Sequence, residues 1–175
     1  RSRGFSLIEL LVVVAIIVIL VGITLAAINA MYSKAAESQA RAILGALASV
    51  EKEYRAQSGG AAIPATANGD LDNTANRFTD VINSAGGPPA EMLLSVSQSP
   101  DFVTITSGRV THVRDPWGKL YRYNDGSGNL ANGMPKHNYP YFASSGADGK
   151  WGTFSSTDNK PNAAAEDNLY SFDIN

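Results

Sequence analysis

The sequence predicts an α+β fold in which one long N-terminal helix carries a small antiparallel sheet, in outline a ladle. An uncharged apolar run from Leu10 to Ile28 leads, with no proline, into an amphipathic stretch that stops at Ser58–Gly60. Beyond residue 100, short segments alternate apolar and polar residues, as half-buried strands do. Composition narrows the chemistry. With 175 residues the chain holds one globular domain plus an appendage. A 17% charged fraction and a net charge of -2 give no footprint for nucleic-acid binding. Cysteine is absent, which excludes disulfides, thiol chemistry and Cys-based zinc sites. His112 and His137 read as surface or strand side chains.

Within the apolar run only Gly22 and Thr24 interrupt the aliphatic character. As a helix it reaches roughly 28 Å, close to the thickness of a bilayer's hydrocarbon. In lipid the backbone satisfies its own hydrogen bonds, so Val and Ile do not prevent a helix. Arg1 and Arg3 supply a positive flank that keeps the N-terminus on the cytoplasmic side. A secretory signal has a shorter apolar stretch and a small-residue cleavage site. A plain anchor fits the length but leaves Glu9 unexplained, since a lone carboxylate in apolar surroundings is costly.

The stretch Arg3-Gly4-Phe5-Ser6-Leu7-Ile8-Glu9-Leu10-Leu11 resembles the processing site of type IV pilins and of the related pseudopilins of type II secretion. In that family a membrane peptidase cuts after the glycine and methylates the new N-terminal residue. The resemblance implies a basic leader at 1–4, cleavage between Gly4 and Phe5, and N-methylation of Phe5. It also implies that Glu9 of one subunit neutralises the Phe5 amine of its neighbour in a filament core. Together the two charges tolerate burial and fix register. Snorkelling of Glu9 to the headgroups is the alternative. The proline that the family carries midway along this helix is absent here, so Gly22 becomes the expected weak point.

Past Ile28 an apolar stripe recurs at Ile28, Tyr32, Ala35, Ala36, Ile43, Leu47, Val50 and Tyr54, with Lys34, Glu37, Arg41, Glu51 and Lys52 on the remainder. One helix is expected from about Ser6 to Gln57, stopped by Ser58-Gly59-Gly60. Residues 5–28 form its membrane or filament-core half, 29–57 its amphipathic continuation, and 58–175 the globular domain. A coiled coil is disfavoured because the pattern lasts under four heptads. From Gly59 to Pro89 the composition is loop-like. Short helices are expected at Asn76–Ala85 and from about Pro89 to Gln98. Strands are expected in Asp101–Thr106, Arg109–Val113, Lys119–Asn124, Tyr139–Ser144 and Asn168–Asp173.

Asp115-Pro116-Trp117-Gly118 reads as a tight turn before a strand, with aromatic residues filling the core. It resembles a segment of major pseudopilins, a folding element rather than an active site. Ser145-Gly146-Ala147-Asp148-Gly149, followed later by Glu166-Asp167, resembles the calcium loop of the same proteins. That resemblance implies Asp148, Glu166 and Asp167 as carboxylate ligands and the carbonyls near Phe142 and Ser145 as further oxygens, with Asp158 a competing ligand. The inserted residues before Glu166 and the Glu-Asp order depart from the family pattern. A solvated Asp/Asn-rich turn is the alternative.

No enzyme is expected. Gly146–Gly152 is not a P-loop, because its glycines are too close and Trp151 follows the lysine. The Asp125–Asn129 stretch has Lys136 where an EF-hand needs its bidentate Glu. No Gly-x-Ser-x-Gly elbow occurs. The expected function is the repeating subunit of a type II secretion pseudopilus, a single-pass protein of the bacterial inner membrane with a periplasmic domain. Its implied partners are copies of itself, the prepilin peptidase/methyltransferase, the inner-membrane assembly platform and minor pseudopilins. A type IV pilin building a surface fibre is the alternative, and a minor pseudopilin a third reading.

Overall fold

The computed structural model describes residues 6–61, 63, 69–70, 102–106, 109–126, 134–135, 137–154 and 161–174. Gly4, Phe5, Asp158 and the helices expected at Asn76–Ala85 and Pro89–Gln98 lie outside the described residues. Helix α1 spans Leu7–Gln57 without interruption, including Gly22. Its end follows from two glycines in left-handed backbone, Gly59 at φ 71° and Gly60 at φ 97°. The Gly60 N–H reaches back to the Arg55 carbonyl at 2.8 Å and the Ser58 N–H to Tyr54 at 2.8 Å. This is the 6→1 closure that glycine permits at a helix C-terminus.

The chain divides into two compact units, Arg1–Ala36 and Glu37–Asn175. In the first, α1 is apolar on all sides and every side chain described from Ser6 to Ala35 is exposed. The Thr24 hydroxyl donates to the Leu20 carbonyl at 3.0 Å or Val21 at 2.9 Å, so it needs no outside partner. Such a helix, with no polar face, fits a non-aqueous surrounding.

The second unit is built on the remainder of α1. Ala40, Ile43, Leu44, Leu47 and Val50 recur at three- and four-residue steps and are buried. They pack with Val103, Val110, Val113, Tyr121, Tyr123, Phe142 and Leu169 into one core, with Tyr54 at its margin. The expected stripe is therefore right at Ile43, Leu47, Val50 and Tyr54 and must be corrected at its start. Ile28, Tyr32 and Ala35 are exposed and belong to the first unit. The steps of the buried face run back only to Ala40, whose small side chain lets Tyr121 approach and donate its hydroxyl proton to the Ala40 carbonyl at 3.2 Å.

Among the described residues six short strands follow: β1 (Gly69–Asp70), β2 (Val103–Thr106), β3 (Arg109–Val113), β4 (Arg122–Asn124), β5 (Tyr141–Ser144) and β6 (Leu169–Tyr170). They form an antiparallel four-stranded sheet in the order β1-β4-β5-β6 and a β2-β3 hairpin. The α+β architecture, a long N-terminal helix followed by small antiparallel sheets, is as the sequence predicts. β1 was not expected. Its two residues carry no alternation and are placed by pairing with Arg122 and Tyr123 and by an Arg122–Asp70 ion pair.

β5 is buried on both faces because cores flank it. Phe142 points into the α1 core, while Tyr141 and Ala143 join Met134 and Tyr170 in a second cluster with Trp151, Phe154 and Phe172. The Asp115–Gly118 turn ties these layers together. The Asp115 carboxylate accepts the Trp117 N–H at 3.1 Å and the Lys119 N–H at 2.8 Å, and the Ser144 hydroxyl at 2.6 Å. One acid thus closes the turn into β4 and clamps it to β5.

Burial pushes the Asp115 carboxyl above its ordinary 3.8 despite these donors. Burial also raises Glu51 above 4.5, with Arg55 beside it pulling the other way. A raised carboxyl binds more protons folded than unfolded. Its contribution to stability is greatest below the ordinary value and falls as pH rises through the folded titration. The melting temperature of Asp115→Asn should therefore gain on the wild type as pH rises above 3.8, and a constant difference would contradict this. Asp115→Ala, which strands two turn amides, should destabilise by about 2–4 kcal/mol in a denaturant melt.

Candidate assembly segment and acidic loop

Glu9 sits in the first turn of α1. Its Oε2 accepts the backbone N–H of Ser6 at 2.8 Å. The Ser6 carbonyl accepts the N–H groups of Glu9 at 3.0 Å and Leu10 at 3.3 Å. Ser6 is thus the residue before the first helical position, and Glu9, three residues on, reaches back to satisfy an amide that the helix leaves bare. The Ser-x-x-Glu spacing of Ser6 and Glu9 is the sequence signal for this arrangement. A carboxylate here also faces the positive end of the helix dipole. Part of the cost of placing Glu9 beside an apolar span is offset within its own chain.

The acidic residues of the predicted loop lie near the two ends of the connection from β5 to β6. Gly146 and Gly149 adopt left-handed backbone at φ 68° and φ 66°. The Asp148 N–H donates to Asp167 Oδ2 at 3.0 Å, and Asp148 Oδ1 accepts the Lys150 N–H at 2.7 Å. Lys150 Nζ lies 3.8 Å from Asp148 Oδ2 as an exposed counter-charge. Asp148 and Asp167 are therefore brought together. Glu166 is exposed and follows the short 3-10 turn Ala163–Ala165.

Phe142 lies on the central strand, its ring 5.1 Å from that of Tyr123 and its N–H donating to Ser171 Oγ at 3.0 Å. Ser145 is fully buried. Among the described residues no three His, Cys, Asp or Glu side chains gather as a metal site.

Neither histidine is placed for chemistry. His112 Nδ1 lies 3.2 Å from Thr111 Oγ1. The His137 ring stacks on Phe172 at 4.4 Å, and its Nδ1 accepts the Tyr139 N–H at 3.3 Å.

Close approach at Gly146 gives a direct test of the loop. A β-carbon there would stand 2.3 Å from the Asp167 carbonyl oxygen and 2.7 Å from Asp167 Oδ2. Gly146→Ala should cost about 1–3 kcal/mol from the backbone conformation alone, and the clash adds to it. Thermal melts of the two proteins check this, and equal stability would mean that the two ends of the connection do not touch.

Compared with known proteins, residues 1–25 match the family model of the prokaryotic N-terminal methylation motif. No curated protein and no solved structure matches the chain. The family match ends within α1, so the segment that carries Glu9 is the part of the molecule with a recognised relationship: a type IV pilin-like prepilin signal.

Proposed function

We propose that the chain is the repeating subunit of a type II secretion pseudopilus. A prepilin peptidase/methyltransferase cuts it between Gly4 and Phe5 and methylates Phe5. The product polymerises through α1 from an inner-membrane assembly platform, with minor pseudopilins as further partners, into a periplasmic filament that helps move folded proteins across the outer membrane. The observation that carries this reading is the pairing of a methylation motif with an exposed apolar run of α1 headed by one carboxylate. The Asp115–Gly118 turn, the Ser145–Gly149 loop and the absence of cysteine favour a secretion pseudopilin over the second reading, a type IV pilin of a surface fibre.

Glu9 then has two roles. It caps its own helix through Ser6, and it answers the Phe5 amine of a neighbour. Glu9→Gln keeps an oxygen for the Ser6 N–H and removes the charge, so it separates the two roles. Glu9→Gln and Glu9→Ala subunits should both insert in the membrane and be processed, and both should give few filaments. A normal filament yield from Glu9→Gln would sink the charge-pairing role. Replacing Gly4 with a larger residue should leave the precursor mass unchanged on mass spectrometry.

Calcium belongs to the same proposal, with Asp148 and Asp167 as its carboxylates. It would add positive charge beside both residues and lock the two ends of the β5–β6 connection together. Saturation at about a hundred times Kd stabilises a folded state by roughly 2.7 kcal/mol. The full chain in detergent should therefore melt on the order of 5–10 °C higher with calcium than with chelator. A flat response would remove calcium and leave the pilus and pseudopilus readings level.

A further inference from the structure

The apolar stripe read from the sequence leaves a remainder at its start. Tyr32 and Ala35 take no part in the globular core, whose first member on α1 is Ala40. Nor do they belong to the aliphatic run, which ends at Ile28. Met31 and Tyr32 are nonetheless large side chains, 72% and 71% exposed.

Tyr32 and Lys34 are also polar groups without a partner. Among the described residues the Tyr32 hydroxyl makes no hydrogen bond and Lys34 no ion pair. Glu37, the carboxylate three residues beyond Lys34, is taken by Arg41, whose Nε and Nη2 reach its Oε1 at 3.1 and 2.9 Å. Tyrosine presents an apolar ring with a polar tip, and lysine an apolar stem with a charged head. Both settle where hydrocarbon meets phosphate and water.

Spacing along α1 matches that surrounding. The helix is unbroken from Leu7 to Gln57, and no charged residue stands between Glu9 and Lys34. At about 1.5 Å per residue, Tyr32 lies roughly 35 Å along the helix from Glu9, and Lys34 about 38 Å. The hydrocarbon of a bilayer is about 30 Å thick, and the whole with its headgroups about 40–45 Å. A helix with Tyr32 and Lys34 among the headgroups of one face therefore brings Glu9 into those of the other. Sliding by one turn, about 5.4 Å, draws either Glu9 or Lys34 into hydrocarbon, where a lone charge is costly.

We infer that Tyr32 and Lys34 are a lipid-headgroup anchor that sets the depth of α1 in a bilayer and holds Glu9 in the headgroup layer of the opposite face. Lys34 Nζ meets a phospholipid phosphate, and the Tyr32 hydroxyl hydrogen-bonds at the same level. This rests on the membrane-inserted subunit proposed above and adds the depth at which it waits for assembly.

The chain has no cysteine, so one introduced cysteine carries a spin label at a chosen position. Labels at Leu20→Cys and Ser33→Cys would be read by paramagnetic resonance in the full chain, reconstituted in vesicles of phosphatidylethanolamine and phosphatidylglycerol. Oxygen and a water-soluble nickel chelate, as opposing relaxing agents, report the depth. The Leu20 label should sit near the bilayer centre and the Ser33 label at headgroup level, roughly 15–20 Å away. Replacing both anchors, Tyr32→Leu with Lys34→Leu, should carry the Ser33 label inward by about one turn, roughly 5 Å. Tyr32→Trp, another ring that favours the headgroup level, should leave it in place. A Ser33 label in open water in the otherwise unchanged chain, or one that the double leucine variant does not move, overturns the anchor while the Leu20 label still reports a spanning helix. A Leu20 label in water overturns the membrane reading as well.

Discussion

The rest of the molecule depends on covering one surface: the apolar length of α1 from Leu7 to Ile28. The aliphatic side chains along it are mostly half or more exposed. Burying a Leu, Ile or Val is worth roughly 1.5–3 kcal/mol, so the run sums to tens of kcal/mol. That exceeds the roughly 5–15 kcal/mol that holds a domain folded. No arrangement of the globular unit offsets such exposure in water. Lipid does, and in the proposed filament like helices would; both require a helix whose backbone needs nothing from outside.

A charge at the head of that surface is then tolerated only if it has partners. Glu9 has one in its own chain, the Ser6 amide, and the helix dipole favours its sign. The bond to Ser6 uses one carboxylate oxygen. It therefore holds the side chain at the helix start while its charge still needs an opposite charge from elsewhere. In the proposed filament a second subunit supplies that charge, so the local cap positions Glu9 for it, and the same four residues serve folding and assembly.

Much of this was legible in the residues. The strands at 103–106 and 109–113 announce themselves by alternation, and the Asp-Pro-Trp-Gly turn by its residue types. The double glycine after Ser58 marks the helix end because only left-handed backbone closes it. What escaped has physical reasons. Ala40 looks indifferent in sequence and is buried because a tyrosine from β4's approach needs a small neighbour. Ile28 and Tyr32 continue the apolar period, yet periodicity does not say which of two units a residue joins.

The central claim, a filament core in which Glu9 of one copy meets the Phe5 amine of the next, is tested most directly by zero-length carbodiimide cross-linking. Filaments would be assembled from a mixture of unlabelled and nitrogen-15-labelled subunits and digested for mass spectrometry. The account predicts an amide bond between the Phe5 nitrogen and the Glu9 carboxyl in peptides that pair one labelled with one unlabelled chain. Well-formed filaments in which Glu9 yields no such product, or bonds only within its own chain, would contradict it.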